Sequence, residues 1–253
     1  MKQYSYDESS KYYDLLETSD KENKERNDFL EKAFKKYKIT SVFDLTCGTG
    51  AQAIYFLKKG YSVKASDFSK GMVDVANLKL KKENLKQRFV KGDMRDISFG
   101  KAEAVITMFN AIGHLSKKDF IKTLGNIKEN LKPKGYYIFD IYNLKDMPRD
   151  LPLKKHIDII KEKENTILVR FCENKLNLKT GILHTKHELL IQHNLEGYKT
   201  IKSHWDMQLY DFKEIKGILE RNDFKILEVY GGADRSTFKD KTSQSIYLIT
   251  QKQ

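Results

Sequence analysis

Cysteine, proline and tryptophan are nearly missing from this chain of 253 residues, which has two, three and one of them. Cys47 and Cys172 lie far apart and without metal-ligand spacing. Neither a zinc site nor a disulfide framework is expected, and a reducing compartment fits. No apolar run approaches the roughly 20 residues that a membrane helix needs. The opening stretch from Met1 to Glu8 lacks the apolar segment of a signal peptide, so the expected address is cytoplasmic, with no membrane partner. Arginine is scarce even though basic residues exceed acidic ones by 47 − 35 = 12. The lysines alternate with glutamates, as in Lys161-Glu162-Lys163-Glu164, so the surplus reads as a solvated surface. A nucleic-acid footprint would favour arginine, the better reader of bases and phosphates, and is the less favoured partner. Hydrophobic residues make up an ordinary 40%, and the length allows one domain with a sizeable insertion.

Periodicity supplies the architecture. An amphipathic helix is expected over 21–38, with Phe29, Leu30, Ala33, Phe34 and Tyr37 on one face. Strands are expected at 41–45, 61–66, 88–91, 102–109 and 136–141, alternating with helices that Gly60, Ser69 and the Ser116/Asp119 pair delimit. That alternation specifies a doubly wound α/β fold with a mostly parallel sheet covered on both faces. After Asn143 the rhythm changes to three strand-like segments, Thr166 to Leu178, Ile182 to His193 and Tyr198 to Leu209. Lys179-Thr180-Gly181 and Glu196-Gly197 are the expected hairpin turns. A helix over 211–222 and strands at 224–230 and 245–251 then resume the first pattern. The expected division is 1–145 with 211–253 as the main domain and 146–210 as an antiparallel β insertion, placed as a lid. An exposed edge of that insertion allows a homodimer as well as a monomer.

Between the first strand and its helix lies Asp44-Leu45-Thr46-Cys47-Gly48-Thr49-Gly50. Gly48 and Gly50 permit a tight turn and close approach of a ligand to the backbone, at the crevice where open α/β sheets bind ligands. Asp67 ends the second strand, where a carboxylate can accept hydrogen bonds from both hydroxyls of a ribose. A nicotinamide dinucleotide is one reading, because residues 48–53 formally match G-x-G-x-x-A. Asp44 speaks against it: a pyrophosphate wants helix dipoles and no added negative charge, whereas a carboxylate suits an ammonium or sulfonium.

Four segments in register resemble the class I S-adenosylmethionine-dependent methyltransferases: Asp44 to Gly50, Asp67-Phe68, Gly92-Asp93-Met94 and Leu131-Lys132-Pro133-Lys134-Gly135. The resemblance covers roughly 21–142 and implies a seven-stranded Rossmann-like sheet with S-adenosyl-L-methionine as cofactor. It implies that Asp44, Thr46, Gly48 and Gly50 line the cofactor, that Asp67 holds the ribose and Phe68 packs on adenine. Asp93 and Met94 would receive the adenine amino group, and Phe109 would lie at the cofactor's edge. Thr46 stands where many members have glycine or alanine, and Lys134 where glycine is common.

Met108 to Leu115 is similar to the matching segment of glycine N-methyltransferases and of aminosugar N,N-dimethyltransferases. Tyr12-Tyr13-Asp14 resembles the segment that those families fold over the cofactor. The resemblance implies methyl transfer to a small-molecule acceptor, nitrogen first and oxygen second. His114 would orient the acceptor or take its proton, and Tyr12 or Tyr13 would close over the methyl group. Lys24 or Arg26 is a candidate partner of the cofactor carboxylate, and Asp140 either caps its strand or faces the acceptor. His204-Trp205-Asp206 reads as half-buried sheet or, alternatively, as an acceptor pocket. An RNA methyltransferase and a cofactor-binding module without turnover are the competing readings. No Asn-Pro-Pro-Tyr type motif, Pro-Cys pair or metal-ligand cluster follows strand four, which disfavours amide or adenine, cytosine-C5 and metal-assisted catechol chemistry.

Overall fold

The computed structural model describes residues 6–17, 19–148, 155–194 and 196–253. Seven strands build the main sheet: β1 (Ser41–Asp44), β2 (Ser62–Asp67), β3 (Val90–Lys91), β4 (Ala102–Thr107), β5 (Leu131–Tyr142), β10 (Phe224–Tyr230) and β11 (Ser245–Lys252). Their order is β10-β11-β5-β4-β1-β2-β3, and only β11 runs antiparallel to its neighbours β5 and β10. The order reverses between β1 and β4, which leaves a crevice at their carboxyl ends.

Side chains alternate across this sheet and so build two cores. Val42, Ala104, Ile106, Ile138 and Ile249 face one side, while Phe43, Val105, Phe139, Ile141 and Leu248 face the other. Helices α2 (Asp20–Tyr37), α3 (Ala51–Lys58) and α4 (Lys70–Lys82) cover the first face; α5 (Lys117–Asn130) and α6 (Phe212–Arg221) cover the second. Local chemistry starts each helix. Ser19 and Glu22 form a reciprocal capping box on α2, and Ser69, Ser116 and Asp211 accept the third backbone N–H of α4, α5 and α6. On α5, Phe120, Leu124 and Ile127 are fully buried, each contributing about 1.5–3 kcal/mol of hydrophobic stabilisation.

A second sheet is antiparallel throughout, in the order β6-β7-β8-β9: β6 (His156–Lys163), β7 (Thr166–Asn177), β8 (Ile182–His193) and β9 (Glu196–Gln208). Four strands stand where three were expected. The additional one, β6, carries a bulge between Ile157 and Ile159 that breaks its alternation. The turn expected at Glu196-Gly197 falls earlier, at Asn194 with φ of 54°, and β9 already includes both residues. The expected start of the insertion, 146, lies beside 149–154, which are outside the described residues. Helix α1 (Tyr13–Glu17) packs on this sheet: Leu16 joins Leu168, Leu189, Ile191 and Ile201 in a small third core.

Two further boundaries moved. Strand β4 stops at Thr107, two residues short of the expectation, because Phe109 and Asn110 turn the backbone with φ of 64° and 53°. Strand β5 begins at Leu131 and takes in the expected turn, where Lys134 adopts φ of 59° and its carbonyl accepts a hydrogen bond from Gln251. Lys134 thus holds the left-handed conformation that glycine would hold more easily. Cys47 and Cys172 are both buried free thiols. Among the described residues no helix is long and apolar enough to cross a membrane.

Candidate active site

A cleft of about 490 Å³ opens at the reversal of strand order. Its floor is the glycine loop. The Gly48 N–H donates to Asp67 Oδ2 at 2.8 Å and the Ser69 N–H donates to Oδ1 at 2.9 Å, so one carboxylate ties the loop to the start of α4. Burial pushes the Asp67 carboxyl up, and those two N–H donors pull it back. Gly48, with φ of 53°, has open space where a side chain would stand; Gly50, with φ of 88°, has Ile54 Cδ1 only 2.9 Å from that point. Gly48 therefore leaves room for a ligand, whereas Gly50 lets the loop pack onto α3.

Asp44 lies behind the loop, fully enclosed, with the Thr46 N–H donating to its Oδ1 at 3.1 Å. Burial, with the Asp67 charge adding to it, pushes Asp44 up to about 7 against that hydrogen bond. The hydroxyl of Thr46, which lines the cleft, is buried and has no hydrogen-bond partner. Arg26 on α2 lies 4.3 Å over the Phe109 ring, and its Nε and Nη1 are likewise buried without partners. Both sets of donors are closed off from the cleft surface, and Arg26 is not among the lining residues.

On the next wall, Asp93 is gripped by Arg95, with contacts of 3.0, 3.0 and 2.6 Å. Burial raises the Asp93 carboxyl, yet the Arg95 hydrogen bonds and charge outweigh it and the net shift is down. Asp140 accepts from the Phe109 N–H at 2.6 Å and the Asn110 N–H at 3.1 Å, which pins the left-handed turn that ends β4. Burial pushes Asp140 up to about 6, opposed by the Arg26 charge. Asp140 was expected to cap its strand or face the acceptor; it instead holds the turn after the neighbouring strand β4 and is not among the lining residues. The turn leads into a short 3-10 helix, Ala111–His114. Burial pushes His114 down to about 4, and its Nε2 lies 3.1 Å from the Tyr6 hydroxyl.

Several expected site residues meet in this cleft: Thr46, Gly48, Asp67 and Phe68 at one end, and Tyr13, Phe109 and His114 at the other. Asp93 and Met94 lie between them. Others do not line it: Lys24 is exposed and paired with Asp28, while Arg26, half-buried, and Asp140, buried, lie outside the lining. Asp44 and Gly50 act from behind the loop, and Tyr12 packs against the third core, since its neighbour Tyr13 takes the inward direction. Trp205 lines the cleft, while His204 lies on a separate groove of the second sheet. Tyr6 and Arg95 belong to the lining and were not foreseen. A tyrosine in an N-terminal stretch that already holds several was the available signal for the first.

The open sheet with reversed order, the carboxylate-and-glycine loop and the ribose-type carboxylate define the class I S-adenosylmethionine-dependent methyltransferase fold. Residues 42–135 match the family model described as a methyltransferase domain. The cofactor of this class is S-adenosyl-L-methionine. Over 103 residues the chain is 30% identical to a dTDP-3-amino-3,4,6-trideoxy-alpha-D-glucopyranose N,N-dimethyltransferase of Streptomyces venezuelae, covering 40% of this chain and 42% of that one. The chain spans about half or less of the first curated relatives it matches, 49% and 42%. In fold it is similar to an S-adenosylmethionine-dependent methyltransferase from Clostridium acetobutylicum, with a TM-score of 0.83, 19% identity and 98% of both chains covered. It is also similar to CalS10, an amino pentose methyltransferase from Micromonospora echinaspora solved with S-adenosylmethionine bound. That TM-score is 0.70, with 15% identity and 94% and 93% of the chains covered.

Proposed function

We propose that this chain transfers the methyl group of S-adenosyl-L-methionine to an amine nitrogen of a small-molecule acceptor. The main domain, expected at 1–145 and 211–253, would hold the cofactor, and the second sheet would close the acceptor side. Asp67 would accept from the ribose hydroxyls, and Thr46 would line the cofactor along the glycine loop. Asp44 would favour the cofactor's positive charge, which would in turn pull its raised carboxyl back down. The bound cofactor supplies an electrophilic methyl on a sulfonium. What the protein adds is alignment, which can supply about 7–11 kcal/mol of the barrier.

The observation that carries nitrogen over oxygen is the state of the groups beside the acceptor end. His114 is pushed down to about 4 and Tyr13 well above its ordinary value, both by burial, so both stay neutral. A hydroxyl is a poor nucleophile until a base takes its proton, and a histidine held near 4 is too weak a base to do so. An amine needs only to lose its ammonium proton, which water can take, before its lone pair attacks. His114 therefore orients the acceptor in this reading, and solvent takes the proton. The names of the relatives, an aminosugar N,N-dimethyltransferase and an amino pentose methyltransferase, support the same choice.

Calorimetric titration with S-adenosylmethionine, S-adenosylhomocysteine and NAD tests the cofactor half. The first two bind and NAD does not. Asp67→Ala then weakens S-adenosylhomocysteine about 10- to 100-fold, a net loss of ~1.4–2.7 kcal/mol in charge-assisted hydrogen bonding. Binding of NAD alone would sink the proposal.

A further inference from the structure

The acceptor end of the cleft is walled by aromatic rings that come from three separate parts of the chain. Tyr6 stands at 6.0 Å from Tyr13, 6.0 Å from Trp205 and 5.8 Å from His114, centroid to centroid. Tyr13 reaches Phe109 at 6.5 Å, and His114 reaches Trp205 at 6.3 Å. His187, outside the cleft lining, braces the indole at 4.2 Å with its ring nearly perpendicular. The wall is thus continuous and supported from behind.

Little positive charge is available in the cleft. Among the described residues the cleft lining holds four aspartates, Asp67, Asp93, Asp119 and Asp206, against one arginine, Arg95. Arg95 is already committed, to Asp93 at 2.6 Å and to Asp119 at 3.5 Å. A phosphate or diphosphate beside the wall would meet no uncommitted cation among the described lining residues, and it would meet the carboxylate of Asp206 next to Trp205. A cation meets the reverse: aromatic faces attract ammonium groups within about 6 Å of a ring centroid, more strongly once desolvated.

We infer that the acceptor is a simple alkylamine without a nucleotide or phosphate group, and that the aromatic wall of Tyr6, Tyr13, Phe109 and Trp205 surrounds its nitrogen where positive charge develops. This rests on the methyl-transfer reading above and narrows it. The chemistry gives the wall a use during turnover. The amine lone pair forms a bond to the methyl carbon, the carbon–sulfur bond breaks with its electron pair left on sulfur, and the positive charge passes to nitrogen. The methylated ammonium then loses a proton to water if it carries one. Charge that arrives at nitrogen arrives beside the rings, so their attraction is greater for the transition state than for the neutral amine.

The test uses the full chain saturated with S-adenosylhomocysteine and a matched pair of probes, choline and its uncharged isostere 3,3-dimethylbutan-1-ol, with thymidine diphosphate as third ligand. Choline is expected to bind at least about tenfold more tightly than the isostere, and thymidine diphosphate not to bind. Tyr6→Phe should keep the choline preference and Tyr6→Leu should reduce it. Trp205→Leu should reduce it as well, with S-adenosylhomocysteine affinity reporting in each case that the fold is intact. Equal binding of the two alcohols, binding of neither, or a preference for thymidine diphosphate overturns the inference while leaving methyl transfer standing. Failure to bind S-adenosylhomocysteine at all overturns both.

Discussion

Arg170 on β7 ties three elements together and offers a direct measure of how firmly the N-terminal segment is held. Its side chain is 11% exposed; its Nη2 lies 2.6 Å from Asp158 Oδ2 on β6, and its Nη1 pairs with Glu17 at the end of α1. Arg170→Met keeps the length of the stem and removes the charge. Breaking a fully buried pair costs about 3–5 kcal/mol, because the abandoned partner stays buried. Glu17 and Asp158 are 23% and 33% exposed, so water can reach both, and exposed pairs are worth only about 0–1 kcal/mol. The expected cost lies between these limits, about 2 kcal/mol. In a chain of this size that lowers Tm by roughly 4–8 °C if unfolding is one transition. The loss should be concentrated where the bridge was. Amide exchange over Tyr13–Glu17 should accelerate about 30-fold, the equivalent of 2 kcal/mol of local opening, and since Tyr13 lines the cleft, S-adenosylhomocysteine should bind more weakly. A Tm within 1 °C of the parent, with unchanged exchange in α1, would refute the idea that this cluster anchors the segment.

Two other perturbations have signs fixed by the structure. His114 titrates near 4 when folded and ~6.5 when unfolded. The unfolded chain therefore binds the extra proton between those values, and this residue's contribution, complete above about pH 6.5, is lost by about 3 kcal/mol as pH falls to 4. His114→Gln lacks the effect, so the stability gap between parent and variant should shrink by that amount from pH 7 to pH 4 in denaturant titrations; parallel curves would contradict the burial argument. Gly50→Ala combines a left-handed backbone with a contact of 2.9 Å to Ile54 and should cost about 2–4 kcal/mol. Gly48→Ala, with the same backbone sign but open space, should cost about 1 kcal/mol. The reverse order in chemical denaturation would mean that the loop is not packed as described.

Much of this arrangement was readable before any coordinates. The alternation of short apolar strands with capped helices specifies the sheet, and Ser69, Ser116 and Asp211 sit where their side chains are needed as caps. What escaped has particular causes. Strand β6 reads His-Ile-Asp-Ile-Ile-Lys-Glu-Lys, and its bulge between Ile157 and Ile159 removes the period of two by which half-buried strands are recognised. Tyr12 and Tyr13 are indistinguishable by type. Consecutive helical residues point about 100° apart, so only a tertiary partner decides which one faces the ligand. Trp205 was weighed as half-buried sheet or acceptor pocket; it lies on β9 and also lines the cleft, which a sheet pattern alone does not reveal. The pairing of Asp93 with Arg95 joins residues two apart across a turn, and spacing alone could not distinguish it from an open carboxylate.

The position of β11 has a consequence for how the molecule comes into being. It lies between β5 and β10, both of which precede it in the chain, and supplies hydrogen-bonding partners to each. During synthesis, which proceeds at about 5–20 residues per second, β5 waits with an unsatisfied edge while the whole second sheet and α6 are made. Through that interval Ile138 and Phe139, fully buried in the finished protein, border an open slot. A nascent chain halted between Tyr142 and Ser245 would expose that slot to other chains. The segment most exposed to misassembly on the ribosome is therefore the middle of the sheet and not its rim.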